Sequence, residues 1–143
     1  MTVKAILSSK GSDVFTIEPT ATLGTATEML ANRRIGALLV LGADRRVIGI
    51  LSERDIVRAL AAQGAAALTQ PLSQVMTRKV QTCTPLETVS IIMERMTAGK
   101  FRHIPVIEQD QLVGIVSIGD VVKYRLTQME RESEALRDYI QTA

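Results

Sequence analysis

The sequence contains the same unit twice, and this internal repeat constrains the fold more strongly than any local propensity. GILSERD at residues 49–55 matches GIVSIGD at residues 114–120, with an offset of 65 residues. Further upstream, VFTIEPTATL at 14–23 matches VQTCTPLETV at 80–89. We therefore expect the chain to fold as two copies of one architecture.

Hydrophobic periodicity changes in the same order within each copy. A short run rich in β-branched residues precedes a proline and predicts a strand, and a helical stripe follows it, as at Val89, Ile92, Met93 and Met96. Two apolar runs separated by polar turn residues then predict a hairpin, and a second helical stripe ends the copy. Each copy is predicted to be β-α-β-β-α, which places the chain in the α/β (α+β) class. Strands are expected at 14–17, 37–41, 47–51, 80–83, 104–107 and 112–116.

The repeat also sets the expected domain boundaries. Residues 1–62 are assigned to the first copy, with an N-terminal helix, and residues 71–126 to the second, with an alanine-rich linker at 63–70. A single copy of about 60 residues would be only marginally stable alone, so the two copies are expected to pack as one module.

A C-terminal helical extension is predicted at 127–143. Its apolar residues have heptad-like spacing, and this narrow seam favours a helix that packs on its own domain, with a dimerising coil as the alternative. The seam comprises Leu126, Met129, Leu136 and Ile140, with Ser133 at the position between.

Composition excludes several classes of protein. Seventeen Lys and Arg against fifteen Asp and Glu leave a net charge of +2, which selects neither a nucleic-acid nor a membrane partner. The longest apolar stretch, 35–43, is too short to span a bilayer, and the N-terminus is too polar for a signal peptide. One Cys and one His are too few for a metal site built from those residue types. A soluble, cytoplasmic protein is expected.

The duplicated Ser-x-x-Asp motif is the sharpest local signal, and it has two interpretations. Ser52 with Asp55, and Ser117 with Asp120, can form capping boxes that satisfy free amides at a helix start. Both pairs also follow a strand, and such junctions commonly bind ligands. Amides at a helix N-terminus suit an anionic group, and the carboxylate can accept two hydrogen bonds from a vicinal diol, so a ribose phosphate would fit.

These residues resemble the cystathionine-β-synthase (CBS) domain family, in which paired domains form a Bateman module. The resemblance covers residues 1–126 and rests on the duplicated G-h-h-S-x-x-D (h, hydrophobic), the entries TIEP and TCTP, and FRHIPVI at 101–107. It implies a stand-alone, bacterial-type CBS protein whose two units are related by a pseudo-twofold axis. It also implies clefts between the repeats that bind AMP, ADP, ATP, NAD or S-adenosylmethionine, and association as a disc-like homodimer.

The resemblance also assigns roles to individual residues. Asp55 and Asp120 would bind ribose hydroxyls, and Ser52 and Ser117 would bind ribose or phosphate oxygens. The remaining candidates would line the adenine pocket or reach phosphate from the other repeat. The pocket residues are Ile17 and Thr82, and the phosphate-binding residues are Arg102 and His103.

The first copy departs from this pattern, because Gly36 and Ala37 stand where the second copy has Arg102 and His103. The two sites are therefore expected to differ in phosphate binding, with the cleft of Asp55 gaining most from the basic pair. In the other cleft Arg54, or Arg33 and Arg34, could compensate, although all three also suit a solvated helix face.

The leading functional hypothesis is a non-catalytic sensor of adenine nucleotides that signals to an unknown effector protein through a conformational change. An enzyme acting on the same nucleotide lacks a recognisable nucleophile, carboxylate pair, Walker loop or metal cluster. A nucleic-acid-binding module lacks aromatic stacking residues. A structural dimerisation or protein-interaction scaffold without ligand is the main alternative, since capping boxes would suffice for it.

Overall fold

The structure is a computed structural model that describes residues 1–142, so Ala143, the last residue of the predicted extension, lies outside the described residues. The chain forms two compact units. We call Asp13–Gln81 the first-repeat unit, and Met1–Ser12 together with the chain from Thr82 onward the second-repeat unit. In chain order the elements are α1 (Val3–Lys10), β1 (Thr16–Ile17), α2 (Leu23–Arg33), β2 (Ala37–Leu41), β3 (Val47–Ser52), α3 (Glu53–Gln63), α4 (Val89–Gly99), β4 (His103–Glu108), β5 (Gln111–Ser117) and α5 (Ile118–Thr142).

The first-repeat unit contains a three-stranded sheet in the order β1-β2-β3. β1 is parallel to β2, and β2 pairs antiparallel with β3 so that Ala37 lies opposite Ser52. The predicted β-α-β-β-α order is confirmed here, although the first strand has two residues rather than four. The core contains fully buried side chains from α2, β2 and β3, among them Leu23, Leu38 and Leu51.

The second-repeat unit contains the antiparallel pair β4-β5, in which His103 lies opposite Ser117. The strand predicted at 80–83 is reduced to one bridge between Cys83 and Val106. At this bridge the N–H of Cys83 donates to the carbonyl of Pro105 at 3.0 Å and its carbonyl accepts from Ile107 at 2.8 Å, whereas the carbonyl of Thr82 accepts from Nη2 of Arg95 on α4 at 2.8 Å.

Helix α1 packs with the second repeat, whereas the sequence grouped it with the first. Val3 and Ile6 are fully buried in the core of the second-repeat unit. The backbone N–H groups of Val3 and Lys4 also donate to the carbonyls of Glu87 and Pro85, each at 2.9 Å. The amphipathic face of α1 is thus buried by a part of the chain about 80 residues away, which local pattern does not reveal.

The leading segment of the second repeat is exchanged in the same way. Leu72 lies in a short 3₁₀ helix, Leu72–Gln74, and is fully buried in the core of the first-repeat unit. The predicted linker at 63–70 also packs there: it continues α3 as the 3₁₀ helix Gly64–Thr69, and Ala67 is fully buried. It is therefore a structural part of the first-repeat unit.

Helix α5 extends well beyond the second-repeat core. Val121 is buried and Tyr124 packs against the core, but the residues from Met129 to the described end of the helix are exposed. The expectation that this seam packs on its own domain is wrong, since Leu136 and Ile140 are 60% and 65% exposed.

Candidate functional site

The junction between β3 and α3 carries the first Ser-x-x-Asp motif as a capping box. Ser52 keeps an extended backbone, and its hydroxyl accepts from the backbone N–H of Asp55 at 3.4 Å. In return, Oδ2 of Asp55 accepts from the backbone N–H of Ser52 at 2.9 Å. The motif thus starts the helix, as the simpler interpretation predicts.

The second carboxylate oxygen of Asp55 is also occupied. The hydroxyl of Thr77 donates to Oδ1 of Asp55 at 3.0 Å. Thr77 is held beside the strand by two backbone hydrogen bonds with Ile50, each of 2.9 Å. Asp55 is only 7% exposed and has partners on both oxygens, so its orientation is set by the protein itself. A carboxylate has about four lone-pair positions in total, so little acceptor capacity remains.

The junction between β5 and α5 repeats the reciprocal hydrogen bonds. Oδ2 of Asp120 accepts from the backbone N–H of Ser117 at 2.9 Å, and the Ser117 hydroxyl accepts from the N–H of Asp120 at 3.2 Å. Here the additional partner is a cation: Nζ of Lys10 lies 2.6 Å from Oδ2 of Asp120 and 2.9 Å from the carbonyl oxygen of Ile115. Both of the bonds from Lys10 and from the Ser117 N–H to this carboxylate are made to Oδ2.

The environment of Asp120 favours its charged form. Partial burial raises the pKa of this carboxyl, but the hydrogen bonds from Lys10 and Ser117, together with the positive charge of Lys10, outweigh burial and lower the pKa below its ordinary value. The side chain remains 21% exposed. Asp120 therefore offers an ionised, oriented oxygen that a diol could reach, in contrast to the occupied Asp55.

The basic pair Arg102 and His103 belongs to the second-repeat unit, beside Ser117. The carbonyl of Arg102 accepts from the N–H of Ile118 at 2.7 Å, as the carbonyl of Gly36 accepts from Glu53 in the first repeat at 3.2 Å. Together with the strand registers, these bonds confirm that Gly36 and Ala37 are the structural counterparts of the basic pair. Arg102 is exposed and His103 is half-buried.

Ile17 and Arg54 take no part in the hydrogen bonds of the motif carboxylates described above. Ile17 on β1 pairs with Val40 and packs against the first-repeat core, and Arg54 is exposed in the first turn of α3. The structure divides the nine candidates between the units. The first-repeat unit holds Ile17, Ser52, Arg54 and Asp55, and the second-repeat unit holds Thr82, Arg102, His103, Ser117 and Asp120.

Sequence reasoning missed Lys10 and Thr77, the residues that complete the two carboxylate environments. Both come from the exchanged leading segments of the two repeats. Their similar positions along the chain were the one feature of the sequence that could have linked them. Their side chains differ in chemistry, however, and a search for matching residues does not connect them.

An open groove of about 550 Å³ lies along α2 and the start of α3 in the first-repeat unit. Leu30, Ile35, Ile56 and Val57 contribute apolar surface to it, and Arg34 adds a charged rim. Neither Ser52 nor Asp55 lines the groove, but Glu53, which lies between them in the motif, and Gly36 do, so the groove adjoins the start of α3.

The described residues provide neither a clustered metal site nor a membrane-spanning helix. Within residues 1–142, no cluster of three or more His, Cys, Asp or Glu is arranged to bind a metal ion. Across the same residues, every helix is too short or too polar to cross a membrane.

Related proteins share both the sequence and the fold. The chain is 36% identical over 124 residues to the mitochondrial CBS domain-containing protein CBSX3 of Arabidopsis thaliana, covering 84% of this chain and 60% of that protein. It is 29% identical to YhcV of Bacillus subtilis, covering 92% of this chain and 90% of YhcV. The chain thus spans less than two thirds of CBSX3, and only 24% of the Arabidopsis protein CBSCBSPB1.

Solved structures give the same result. The CBS-domain protein ATU1752 from Agrobacterium tumefaciens is 49% identical, with a TM-score of 0.85 over 87% of this chain and 99% of that one. The CBS domain pair of protein MJ0100, solved in complex with 5′-methylthioadenosine and S-adenosyl-L-methionine, is 25% identical, with a TM-score of 0.77 over 87% of this chain and 98% of that one.

The CBS domain family model matches the chain twice, at residues 3–62 and 72–127. These matches reproduce the internal repeat and include both Ser-x-x-Asp junctions. The protein is therefore a member of the CBS domain family with two CBS repeats.

Proposed function

We propose that this protein is a non-catalytic regulatory module that binds an adenosine-containing ligand and passes the resulting conformational change to a partner protein. The observation that carries the proposal is the environment of Asp120. Its environment favours the charged form and fixes the orientation of the carboxylate, and the bonds from Lys10 and from the Ser117 N–H both go to Oδ2. An ionised carboxylate accepts strong hydrogen bonds from the two hydroxyls of a ribose.

The class of ligand is supported by a relative. The CBS pair of MJ0100 was solved with two adenosine derivatives, and its fold covers most of this chain. For the present protein, AMP, ADP, ATP, NAD and S-adenosylmethionine all remain within the proposed class, since each contains a ribose joined to adenine.

The phosphate-bearing members of this class would use the basic pair. Arg102 is exposed beside the β5–α5 junction, and the corresponding position in the first repeat is Gly36. We therefore propose unequal phosphate binding by the two repeats, with Arg102 and His103 as its source.

Partner recruitment is part of the same proposal. A ligand can regulate a partner only if it binds two conformations of the module with different affinity. We propose that the protein acts as a homodimer, and that an effector protein binds the two conformations of this dimer with different affinity.

Thermal unfolding with a ligand panel tests the proposal. Wild-type protein is heated with AMP, ADP, ATP, NAD or S-adenosylmethionine at millimolar concentration, with GMP as the base control. Ligand present at 100 times its Kd stabilises the folded state by about 2.7 kcal/mol. We expect a rise in Tm with at least one adenine ligand and none with GMP.

Two variants show whether the stabilisation depends on the proposed carboxylate. Asp120→Ala should lose the ligand-dependent rise, whereas Glu134→Ala, which removes an exposed carboxylate from the same helix, should retain it. Absence of any rise in the wild type contradicts ligand sensing and favours the interaction-scaffold alternative.

A further inference from the structure

Helix α5 carries an apolar seam that lacks a partner within the described residues. The seam residues recur at alternating intervals of three and four, which is the heptad pattern of a two-stranded coiled coil. All of its apolar members are exposed. In heptad terms the a positions are Leu126, Ser133 and Ile140, and the d positions are Val122, Met129 and Leu136.

The charges beside this seam are complementary to those of a second, parallel copy of the same helix. In a parallel coiled coil, a g residue contacts the e residue five positions later on the partner helix. Arg125 at g would contact Glu130 of a second copy, and Glu132 at g would contact Arg137. Both contacts are attractive, and both are made twice in a symmetric dimer.

These four charged residues are available for such contacts. The ion pairs of Lys10 with Asp120 and of Arg95 with Glu87 both lie outside the seam. Glu130, Glu132 and Arg137 are exposed, and Arg125 is half-buried. The charge pattern is therefore unused within the described chain.

From the exposed seam and its complementary charges, we propose that α5 binds α5 of a second copy of this chain as a parallel, in-register coiled coil. An antiparallel pair centred between Ser133 and Leu136 would also bring Glu130 to Arg137, but it would leave Arg125 and Glu132 without opposite charges. The parallel arrangement uses all four. It specifies an interface for the homodimer proposed above; because it requires no ligand, its failure is distinguishable from a failure of ligand sensing.

Ser133 distinguishes the two orientations. A parallel, in-register pair brings the two copies of an a residue face to face, so Ser133→Cys should form a disulfide between chains under mild oxidation. Arg131→Cys places a thiol two positions away on the outer face and is the matched control. The native Cys83 is buried and does not compete.

Sedimentation equilibrium measures the contribution of the seam. Leu136→Glu should raise the dimer Kd at least tenfold, while Ala135→Glu, which adds the same charge at the outward-facing c position, should leave it unchanged. Glu132→Arg should also weaken the dimer, and adding Arg137→Glu should restore it, because the cross-chain attraction is then re-formed with reversed signs.

Two results would overturn the proposal. One is a wild-type protein that stays monomeric at hundreds of micromolar. The other is a dimer in which Ser133→Cys cross-links no faster than Arg131→Cys, since that dimer must use another surface or another orientation. Circular dichroism of each variant confirms that α5 is still helical.

Discussion

Nζ of Lys10 lies 2.6 Å from Oδ2 of Asp120 and joins the last turn of α1 to the first turn of α5. Lys10 also donates to the carbonyl of Ile115, so its ammonium group has two partners in the second-repeat unit. A residue from the leading segment of the first repeat therefore stabilises the ionised carboxylate of the second. The equivalent carboxylate, Asp55, has a hydroxyl partner instead.

Lys10→Met should move the pKa of Asp120 back towards its ordinary value, because it removes a hydrogen bond and a positive charge. Titration of the Asp120 carboxyl by NMR measures the change. Lys4→Met, on the exposed side of the same helix, is the control and should leave the titration unchanged.

The same variant should respond differently to acid. A carboxyl whose pKa is lower in the folded state stabilises the protein above its unfolded pKa of about 3.9, and this contribution is lost as pH falls through the folded pKa. Urea unfolding at pH 7 and pH 3 should therefore show a smaller acid-induced loss of stability for Lys10→Met than for the wild type. An equal loss would contradict the role assigned to the ion pair.

Removing the two motif carboxylates should have unequal costs in stability. Asp55→Ala deletes a buried helix cap and leaves the Thr77 hydroxyl without its acceptor, and we expect a loss of about 2–3 kcal/mol. Asp120→Ala removes a partly exposed cap and ion pair, for which about 0.5–1.5 kcal/mol is expected. Chemical unfolding measures both values.

Thr77 provides an independent check on the Asp55 environment. Thr77→Ser keeps the hydroxyl that donates to Oδ1, whereas Thr77→Val removes it. We expect the Val variant to be less stable than the Ser variant by about 1 kcal/mol. Equal stability would mean that the hydrogen bond makes no net contribution.

The Cys83 thiol should be unreactive in the folded protein. Burial, reinforced by the negative charge of Glu87, raises its pKa to about 12, although Arg95 opposes the shift. At pH 8 we expect slow iodoacetamide labelling of the native wild type and rapid labelling in urea; the exposed thiol of Arg131→Cys is the positive control. Rapid native labelling would contradict this assignment.

The raised pKa of Cys83 also predicts a loss of stability in alkali. The contribution of the neutral thiol is fully present below the unfolded pKa of about 8.5 and is lost as pH rises towards 12. Cys83→Ala should therefore lose less stability than the wild type between pH 8 and pH 10.

Close packing of α1 on β5 brings the side chain of Leu7 against Gly114. A Cβ added at Gly114 would lie 2.7 Å from Cδ2 of Leu7, so Gly114→Ala should destabilise the protein by about 1–2 kcal/mol. In a Leu7→Ala background this cost should fall, which a double-mutant cycle measures. Gly119→Ala is the control, because its added Cβ would meet only the Ser117 hydroxyl, at 3.6 Å.

Strand predictions succeeded where burial and alternation were both strong. β2 was predicted at 37–41 and is observed there, and β4 and β5 extend their predicted ranges by one residue at each end. Of the strand predicted at 80–83 only the bridge between Cys83 and Val106 formed, because its pairing depended on a distant strand. Hairpins are local, whereas such an edge strand depends on long-range pairing.

The contacts of the candidate site likewise include some that the sequence predicts and some that it does not. The hydrogen bonds between Ser117 and Asp120 join residues three positions apart, so the motif alone predicts them. The ionic partner Lys10 lies 110 residues away and could not be inferred from that spacing. The ligand-binding roles carried over from the family remain predictions.

The sequence by itself determined the repeat, the order of elements, the family and the two helix caps, because each depends on periodicity or short spacing along the chain. Only the tertiary structure decided which core receives α1 and which partner completes each carboxylate. It also showed that the seam of α5 is exposed. An amphipathic pattern specifies that a face will be buried or paired, but the surface that covers it depends on how distant segments pack.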